Sequence, residues 1–274
     1  MNLKYRNQKN AEATARYWNK PLDCPDWYEI KALSPDQSEI VLYDVIGWPF
    51  NDAGELVRAI TGMKGKEILA RINSPGGDIW DGIAIFNAFA RHDAKVTTRI
   101  ESMAASIASV IALAGKEVQA YQNAMLMIHE PWTVAAGSQY DFREIADILE
   151  KISGNMVDIY ASNSSVGKRE VREMMKAETY FTAKEAKEKG FIDTIIDGKG
   201  AKAQFDLSMF AHVPDDIRSE GHEPTEREIE RILRDAGVSR GKAKAMLAGC
   251  KQDESREIES MKAEIMKIQR TIGG

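Results

Sequence analysis

Two polar residues stand next to short apolar segments in positions that suit catalysis. Ser106 lies in a run of small apolar residues, 104–114, which is predicted to form a buried helix after a strand at 96–100. His129 follows directly on the apolar run 125–128, where a strand would hold its ring in place. A serine hydroxyl within hydrogen-bond reach of an imidazole can attack a carbonyl carbon. The two residues therefore predict serine-hydrolase chemistry if folding brings them together.

Backbone donors for an oxyanion can come from two further places. The sequence Asn-Ser-Pro-Gly-Gly at 73–77 follows a predicted strand at 66–72. Its paired glycines, Gly76 and Gly77, let the backbone approach a substrate closely. Ile107 falls in the first turn of the predicted helix, where backbone N–H groups have no partner within the helix. Such N–H groups are the type of donor that stabilises a tetrahedral intermediate.

Glu178 is the candidate for the group that orients the imidazole. It lies in an extended segment just before Thr182, which is predicted to cap a helix with Glu185 completing a capping box. A carboxylate in this position could accept a hydrogen bond from the imidazole. It could equally be a solvated surface group, since most glutamates are exposed.

Each of these segments also has an ordinary structural explanation. A sequence rich in Pro and Gly is typical of a tight turn, and a serine at a helix start is a common cap. A histidine at a strand end is often structural. Of the four histidines, however, only His129 directly follows an apolar strand: His92 lies beside charged residues in a turn, and His212 and His222 lie in or near the predicted linker. The G-x-S-x-G motif of α/β-hydrolases is absent. The order and combination of the segments favour the catalytic interpretation.

The elements that must position these residues alternate along the chain. Short strands alternate with helical segments, which predicts an α/β fold with a largely parallel sheet. The predicted strands are 40–43, 66–72, 96–100, 118–121, 125–128 and 191–196. The predicted helices include 104–114, a long one at 140–160, and shorter ones at 169–175 and 183–189.

The combined motifs resemble the ClpP family of serine peptidases over about residues 38–197. The matching sequences are Ile-Asn-Ser-Pro-Gly-Gly at 72–77, Met-Ala-Ala-Ser at 103–106, Met-Ile-His-Glu-Pro at 127–131, Phe-Thr-Ala-Lys-Glu-Ala at 181–186 and Gly-Phe-Ile-Asp at 190–193. The resemblance implies the ClpP/crotonase-like superfold, which is built from repeated β-α-β units and carries a protruding handle helix, here at 140–163. It also implies a homo-oligomer that forms rings joined through the handle.

The resemblance assigns a role to each candidate residue. It implies Ser106 as the nucleophile and His129 as the general base, with the N–H groups of Gly77 and Ile107 forming the oxyanion hole. Gly76 belongs to the same substrate-binding loop. The family usually has Asp where this chain has Glu178, so Glu178 is the implied third member of the triad. Neither a metal nor an organic cofactor is required by this chemistry.

The sequence predicts four regions. Residues 1–36 are polar and contain several prolines, which is typical of an arm, and 37–200 form the ClpP-like protease domain. Residues 201–223 have few large apolar side chains and are predicted to be a linker. Residues 224–274 are rich in Glu, Lys and Arg at a helical spacing, which predicts a charged helical C-terminal extension.

Composition narrows the function classes. A net charge of −5 and a pI of about 5.6 give no electrostatic reason to expect nucleic-acid binding. The sequence has neither an apolar run long enough to span a membrane nor a secretory signal at its start. Two cysteines, Cys24 and Cys250, are typical of a reducing compartment. We therefore expect a cytoplasmic protein.

The flanks resemble those of phage or prophage head-maturation proteases, especially the segment 27–31 and the charged tail. This implies an ATP-independent serine endopeptidase that processes phage capsid or scaffold proteins, in the host cytoplasm or the assembling virion. Three alternatives remain open: a housekeeping-type Clp protease subunit that works with an unfoldase, a crotonase-like acyl-CoA enzyme, and a capsid-assembly scaffold with an inactive crotonase-like core.

Overall fold

The computed structural model describes residues 27–133, 135 and 137–198, together with Ala15, Phe210 and Val213. All of them belong to one unit of the chain, Met1–Ser219. The predicted extension at 224–274 lies outside the described residues. So does the predicted linker apart from Phe210 and Val213, and so does most of the predicted arm.

The described residues form one eight-stranded sheet whose main strands run in the order β1-β2-β3-β4-β5-β8. All neighbouring pairs in this order are parallel except β1 and β2. The strands are β1 Tyr28–Ser34, β2 Gln37–Tyr43, β3 Glu67–Ser74, β4 Lys95–Ala105, β5 Glu117–Tyr121, β6 Met125–Ile128, β7 Thr179–Thr182 and β8 Thr194–Ile196. The prediction of an α/β fold with a largely parallel sheet is confirmed.

On the edge opposite β3, strand β4 has two successive partners along its length. Its first half pairs with β5 from Thr97 to Ile100, and its end pairs with β6 from Met103 to Ala105, both in parallel. Strand β7 then adds to β6 in antiparallel orientation. This branch places the ends of β4 and β6 side by side, while β3 still pairs with the other edge of β4 at Ala104.

Six helices complete the described part of the chain. They are α1 Ala53–Gly62, α2 Ile79–Ala90, α3 Ile107–Ala112, α4 Gln139–Ser162, α5 Lys168–Lys176 and α6 Ala183–Glu188. Side chains that accept from free N–H groups fix several helix starts. Asp78 accepts from Trp80 and Asp81 at the start of α2, and Thr182 and Glu185 form the predicted capping box of α6.

The core lies on one face of the sheet, because alternate strand residues point to the same side. Ile40, Leu42, Ile72 and Ile100 are fully buried there, and α2 and α3 cover them with side chains such as those of Phe89 and Ile111. Helix α4 joins this core only through its second half, where its buried residues begin at Ile152. Its first half exposes large apolar side chains, namely Tyr140, Phe142 and Ile148. No helix in the described ranges has the length and apolar character needed to cross a membrane.

Some element boundaries differ from the prediction. The protease domain is predicted to begin at residue 37, and the sheet already includes β1, Tyr28–Ser34, because that strand pairs with β2 along its length. Residues 28–32 do alternate between apolar and polar types, but the neighbouring prolines favour an arm, and almost all of the strand is exposed. Ala104 and Ala105 were predicted to be helical, but they extend β4 because β6 offers them a parallel partner. Helix α3 begins only at Ile107.

Candidate active site

Ser106 occupies the turn between β4 and α3. Its backbone has φ 55° and ψ −130°, a conformation that non-glycine residues rarely adopt. The Ser106 N–H donates to the Met127 carbonyl oxygen at 3.0 Å, which ties the turn to the neighbouring strand β6. Unusual backbone angles of this kind persist where the surroundings hold them, and they are frequent at active sites. Here they turn the chain sharply between the end of the strand and the start of the helix.

His129 comes from the end of the neighbouring strand. Ala105 pairs with Met127 in the parallel register, so the chain leaves β4 and β6 at the same edge of the sheet. The His129 Nε2 and Ser106 Oγ atoms are 2.7 Å apart, within the range of a hydrogen bond. Only 7% of the His129 surface is exposed. Folding thus brings together the two residues on which the catalytic interpretation depends.

Burial determines the charge of His129. Loss of hydration lowers the pKa of the imidazole to about 4, because burial penalises the charged form. At neutral pH the ring is therefore uncharged and can accept one hydrogen bond. A neutral imidazole carries its proton on one of the two ring nitrogens. If that proton is on Nδ1, Nε2 accepts a hydrogen bond from the Ser106 hydroxyl.

The glycine-rich segment passes directly beside the serine. Gly76 has φ 105°, and a Cβ atom on it would lie 2.7 Å from the Ser106 Cβ and 2.9 Å from the Ala105 carbonyl oxygen. Gly77 has φ 153°, and a Cβ atom on it would collide with the Ile46 carbonyl oxygen. Only glycine fits these two positions without displacing the backbone, as the sequence indicates.

Hydrogen bonds hold this segment in place. The Ile46 N–H donates to the Gly76 carbonyl oxygen at 2.8 Å, and the Asp78 N–H donates to the Ile46 carbonyl oxygen at 2.8 Å. The buried Ser74 hydroxyl donates to the Asp44 carbonyl oxygen at 2.6 Å and accepts the Gly76 N–H at 3.1 Å. The segment therefore reaches Ser106 as a supported loop.

Ile107 is the first residue of α3 and follows Ser106 directly. A helix start leaves its N–H groups without intrahelical acceptors. The structure thus places the predicted donors, Gly77 and Ile107, in segments that flank the serine. Their part in binding an oxyanion stays a prediction.

Glu178 precedes β7, which pairs with β6. The β6–β7 pairing ends with Ile128 opposite Thr179. Glu178 lies just before this pair, in a turn with φ 50°, and not in the extended segment that the sequence predicts. The hydrogen bond observed for the His129 ring is the one to Ser106. The Glu178 charge acts instead on Tyr180: burial, with a smaller effect of this carboxylate, raises the pKa of the tyrosine hydroxyl. The orienting role of Glu178 stays a prediction.

A buried hydrogen-bond chain behind the serine was not predicted. The Ser109 hydroxyl donates to the Ser106 carbonyl oxygen at 2.6 Å and lies 2.7 Å from the Tyr160 hydroxyl oxygen. Because the Ser109 hydroxyl donates its one proton to the Ser106 carbonyl oxygen, the Tyr160 hydroxyl is the donor in the bond to Ser109. Tyr160 belongs to the inner half of α4, so this chain connects the long helix to the backbone of the candidate nucleophile. A serine within an otherwise apolar helix was the available sequence signal.

The sequence of residues 28–199 matches the Clp protease family. The chain belongs to the Clp protease family. The matched region contains all the strands and helices described above and all the candidate site residues. The family assignment therefore covers the whole site.

Individual relatives of this Clp protease family member match a shorter region. A protein of Bacteroides fragilis named ATP-dependent Clp protease proteolytic subunit is 34% identical over 134 residues, which are 48% of this chain and 65% of the relative. Proteins of the same name from a second Bacteroides fragilis strain and from Bacteroides thetaiotaomicron are also 34% identical over 134 residues, 61% of each relative. The match spans less than two thirds of the length of these curated relatives.

The Ser109–Tyr160 chain leads to a prediction about stability. Replacing Ser109 with Ala should lower the free energy of unfolding by about 1–3 kcal/mol, because the buried Tyr160 hydroxyl loses its 2.7 Å partner and keeps only a 3.5 Å contact with the Ser106 carbonyl oxygen. Replacing Tyr160 with Phe in addition should cost less than the two single changes together, since no unpaired hydroxyl is then buried. Urea unfolding of the two single variants and the double variant measures this coupling. Strictly additive losses would contradict it.

Proposed function

We propose that this chain is a serine endopeptidase in which Ser106 is the nucleophile and His129 is the general base. The observation that carries this proposal is the 2.7 Å contact between Ser106 Oγ and His129 Nε2. Three features support it: the serine lies at a constrained turn, the imidazole is neutral, and the glycine loop passes close beside the hydroxyl. Membership of the Clp protease family supports the same chemistry.

The reaction proceeds through an ester of Ser106. His129 takes the proton of the hydroxyl while Oγ attacks the peptide carbonyl carbon, and the N–H groups of Gly77 and Ile107 bind the resulting oxyanion. His129 then gives the proton to the leaving amine as the C–N bond breaks. Water, activated by the same imidazole, hydrolyses the ester and restores the serine. These steps use protein side chains and backbone alone.

Glu178 is the proposed third member of this triad. Its place in the chain supports this role, because Glu178 directly precedes Thr179, and the strand partner of Thr179, Ile128, directly precedes His129. A carboxylate that rotates toward Nδ1 would fix the tautomer in which Nε2 faces the serine. The positive φ of 50° at Glu178 also marks a constrained backbone at this position.

We further propose that the protein works as a homo-oligomeric ring and cleaves phage capsid or scaffold proteins without ATP. The exposed apolar side chains on the first half of α4 support association through this helix. Residues 200–274, which lie beyond the family match, support a specialised role. The second candidate is a subunit that works with an ATP-driven unfoldase, which the name of the Bacteroides relatives favours.

A fluorophosphonate probe and a set of variants test the nucleophile. The wild-type chain should be labelled on Ser106, and Ser106→Ala should lose both the label and about 10⁴- to 10⁶-fold in peptide-cleavage rate. The matched control is Ser38→Ala, which replaces a serine on β2 and should retain label and activity. Near-wild-type cleavage by Ser106→Ala would exclude the serine mechanism.

The same cleavage assay ranks the other two residues of the proposed triad. His129→Ala should lose more activity than Glu178→Ala, because an orienting residue contributes less than the base.

The low pKa of His129 predicts how its ring titrates. NMR spectra of the histidine rings should show one ring with a midpoint near 4, well below the ordinary value of about 6.5. The signal is assigned by its loss in His129→Gln, and the chain has only four histidines to separate. Since the base acts in its neutral form, it should stay competent from neutral pH down to about 5. A midpoint at the ordinary value would show that the ring is not buried.

The two candidate roles differ in their need for nucleotide. Incubation with an unfolded protein such as reduced casein, without ATP or any other enzyme, should give cleavage products by mass spectrometry. Co-expressed phage capsid or scaffold protein should also be cut, and Ser106→Ala should leave both intact. Cleavage that begins only after an unfoldase and ATP are added would favour the second candidate.

A further inference from the structure

Phe210 and Val213 lie beyond the last strand of the sheet, yet both are buried. Only 7% of Phe210 and 6% of Val213 is exposed. They pack in a small apolar cluster with the strand residues Met103, Ala105 and Met127, and the partly buried Tyr180 joins this cluster. The cluster is separate from the main core.

The separation follows from the alternation of side chains along a strand. Ala104 of β4 and Leu126 and Ile128 of β6 belong to the main core, on the face covered by helices. Met103, Ala105 and Met127 alternate with them and therefore face the other side. In the described part of the chain, Phe210 and Val213 are the buried residues from outside the strands that cover this apolar face.

This face adjoins the candidate catalytic pair. Ala105 immediately precedes Ser106, and Met127 stands two residues before His129. The Phe210 ring contacts the His129 ring edge to face, with 5.5 Å between the ring centroids and 85° between the planes. That geometry is favourable for two aromatic rings. A side chain from the C-terminal part of the chain thus touches the proposed base directly.

We propose that the apolar surface formed by Met103, Ala105, Met127 and Tyr180 is a polypeptide-binding site beside the catalytic pair, and that the chain's own segment carrying Phe210 and Val213 occupies it. This inference rests on the proposed function, because the site matters when Ser106 and His129 act on a peptide. The ligand class is a peptide with large apolar side chains. A substrate that places such side chains here must displace the occupant.

Because Phe210 and Val213 belong to the same chain as the site, they are favoured over the side chains of a free peptide. A tethered segment is present at a high effective concentration, so modest apolar contacts keep the site filled. The reactive fraction of the enzyme is then the fraction from which the segment has left. Weakening the apolar contacts of Phe210 and Val213 should therefore increase the reactivity of Ser106.

The experiment compares fluorophosphonate labelling rates of full-length variants. The double variant Phe210→Ala/Val213→Ala should be labelled at least about fivefold faster than the wild type, because more molecules have an open site. Val213→Ala alone removes fewer apolar atoms and should give a smaller increase. Leu33→Ala is the matched control, since it removes an apolar side chain that is 51% exposed on β1, and its rate should not change. Circular dichroism checks that each variant is folded.

A peptide with the sequence of residues 205–216 tests the site directly. A fluorescent copy should bind the double variant, bind the wild type more weakly, and slow the labelling of the double variant. The same peptide with Ala at positions 210 and 213 is the control. It should neither bind the double variant nor slow its labelling. Equal labelling of all variants with no peptide binding would overturn the inference, as would slower labelling of the double variant. If no variant is labelled but the peptide still binds the double variant more tightly, the proposed function fails while the binding site stands.

Discussion

The geometry of the candidate active site depends on the parallel pairing of the last residues of β4 with β6. This pairing sets Ala105 opposite Met127, so that the residues that follow leave the sheet at the same edge. Binding sites in open parallel sheets form at this carboxyl edge because loops from neighbouring strands meet there. A backbone hydrogen bond from Ser106 to Met127 continues the pairing into the turn. The contact between the Ser106 and His129 side chains is thus a consequence of strand register.

The strand register alone does not account for the constrained turn at Ser106. The Ser106 backbone has a positive φ, which costs free energy and must be held by its surroundings. The Met127 carbonyl holds the N–H side of this residue, and the Ser109 hydroxyl holds its carbonyl side. Tyr160 supports Ser109 from the inner half of α4, so the long helix contributes to the turn through one buried hydrogen bond. Displacement of this part of α4 would release one side of the constrained turn.

The sequence indicated most of this site because its strongest signals are local. The apolar strands, the Gly76–Gly77 pair and the small residues around Ser106 each have a direct structural meaning within a few positions. Strand β1 is missing from the prediction because prolines on both sides of it are typical of an irregular arm and outweigh its short polar–apolar alternation, and pairing with β2 is what makes it a strand. The Ser109–Tyr160 contact joins residues distant in sequence, and no local pattern reports such a pair. The position of the Glu178 carboxylate depends on a side-chain rotation, which spacing along the chain does not determine.

The two faces of the β4–β6 branch have different requirements. Helices cover the face that carries Ala104 and Leu126, and this face contributes to the stability of the fold. The opposite face is also apolar, and leaving it in water would cost free energy. An enzyme that must admit a polypeptide at this edge cannot cover that face with a permanently packed helix. Phe210 and Val213 resolve the conflict, because they cover this surface and, as we propose, can exchange with a substrate of the same apolar character.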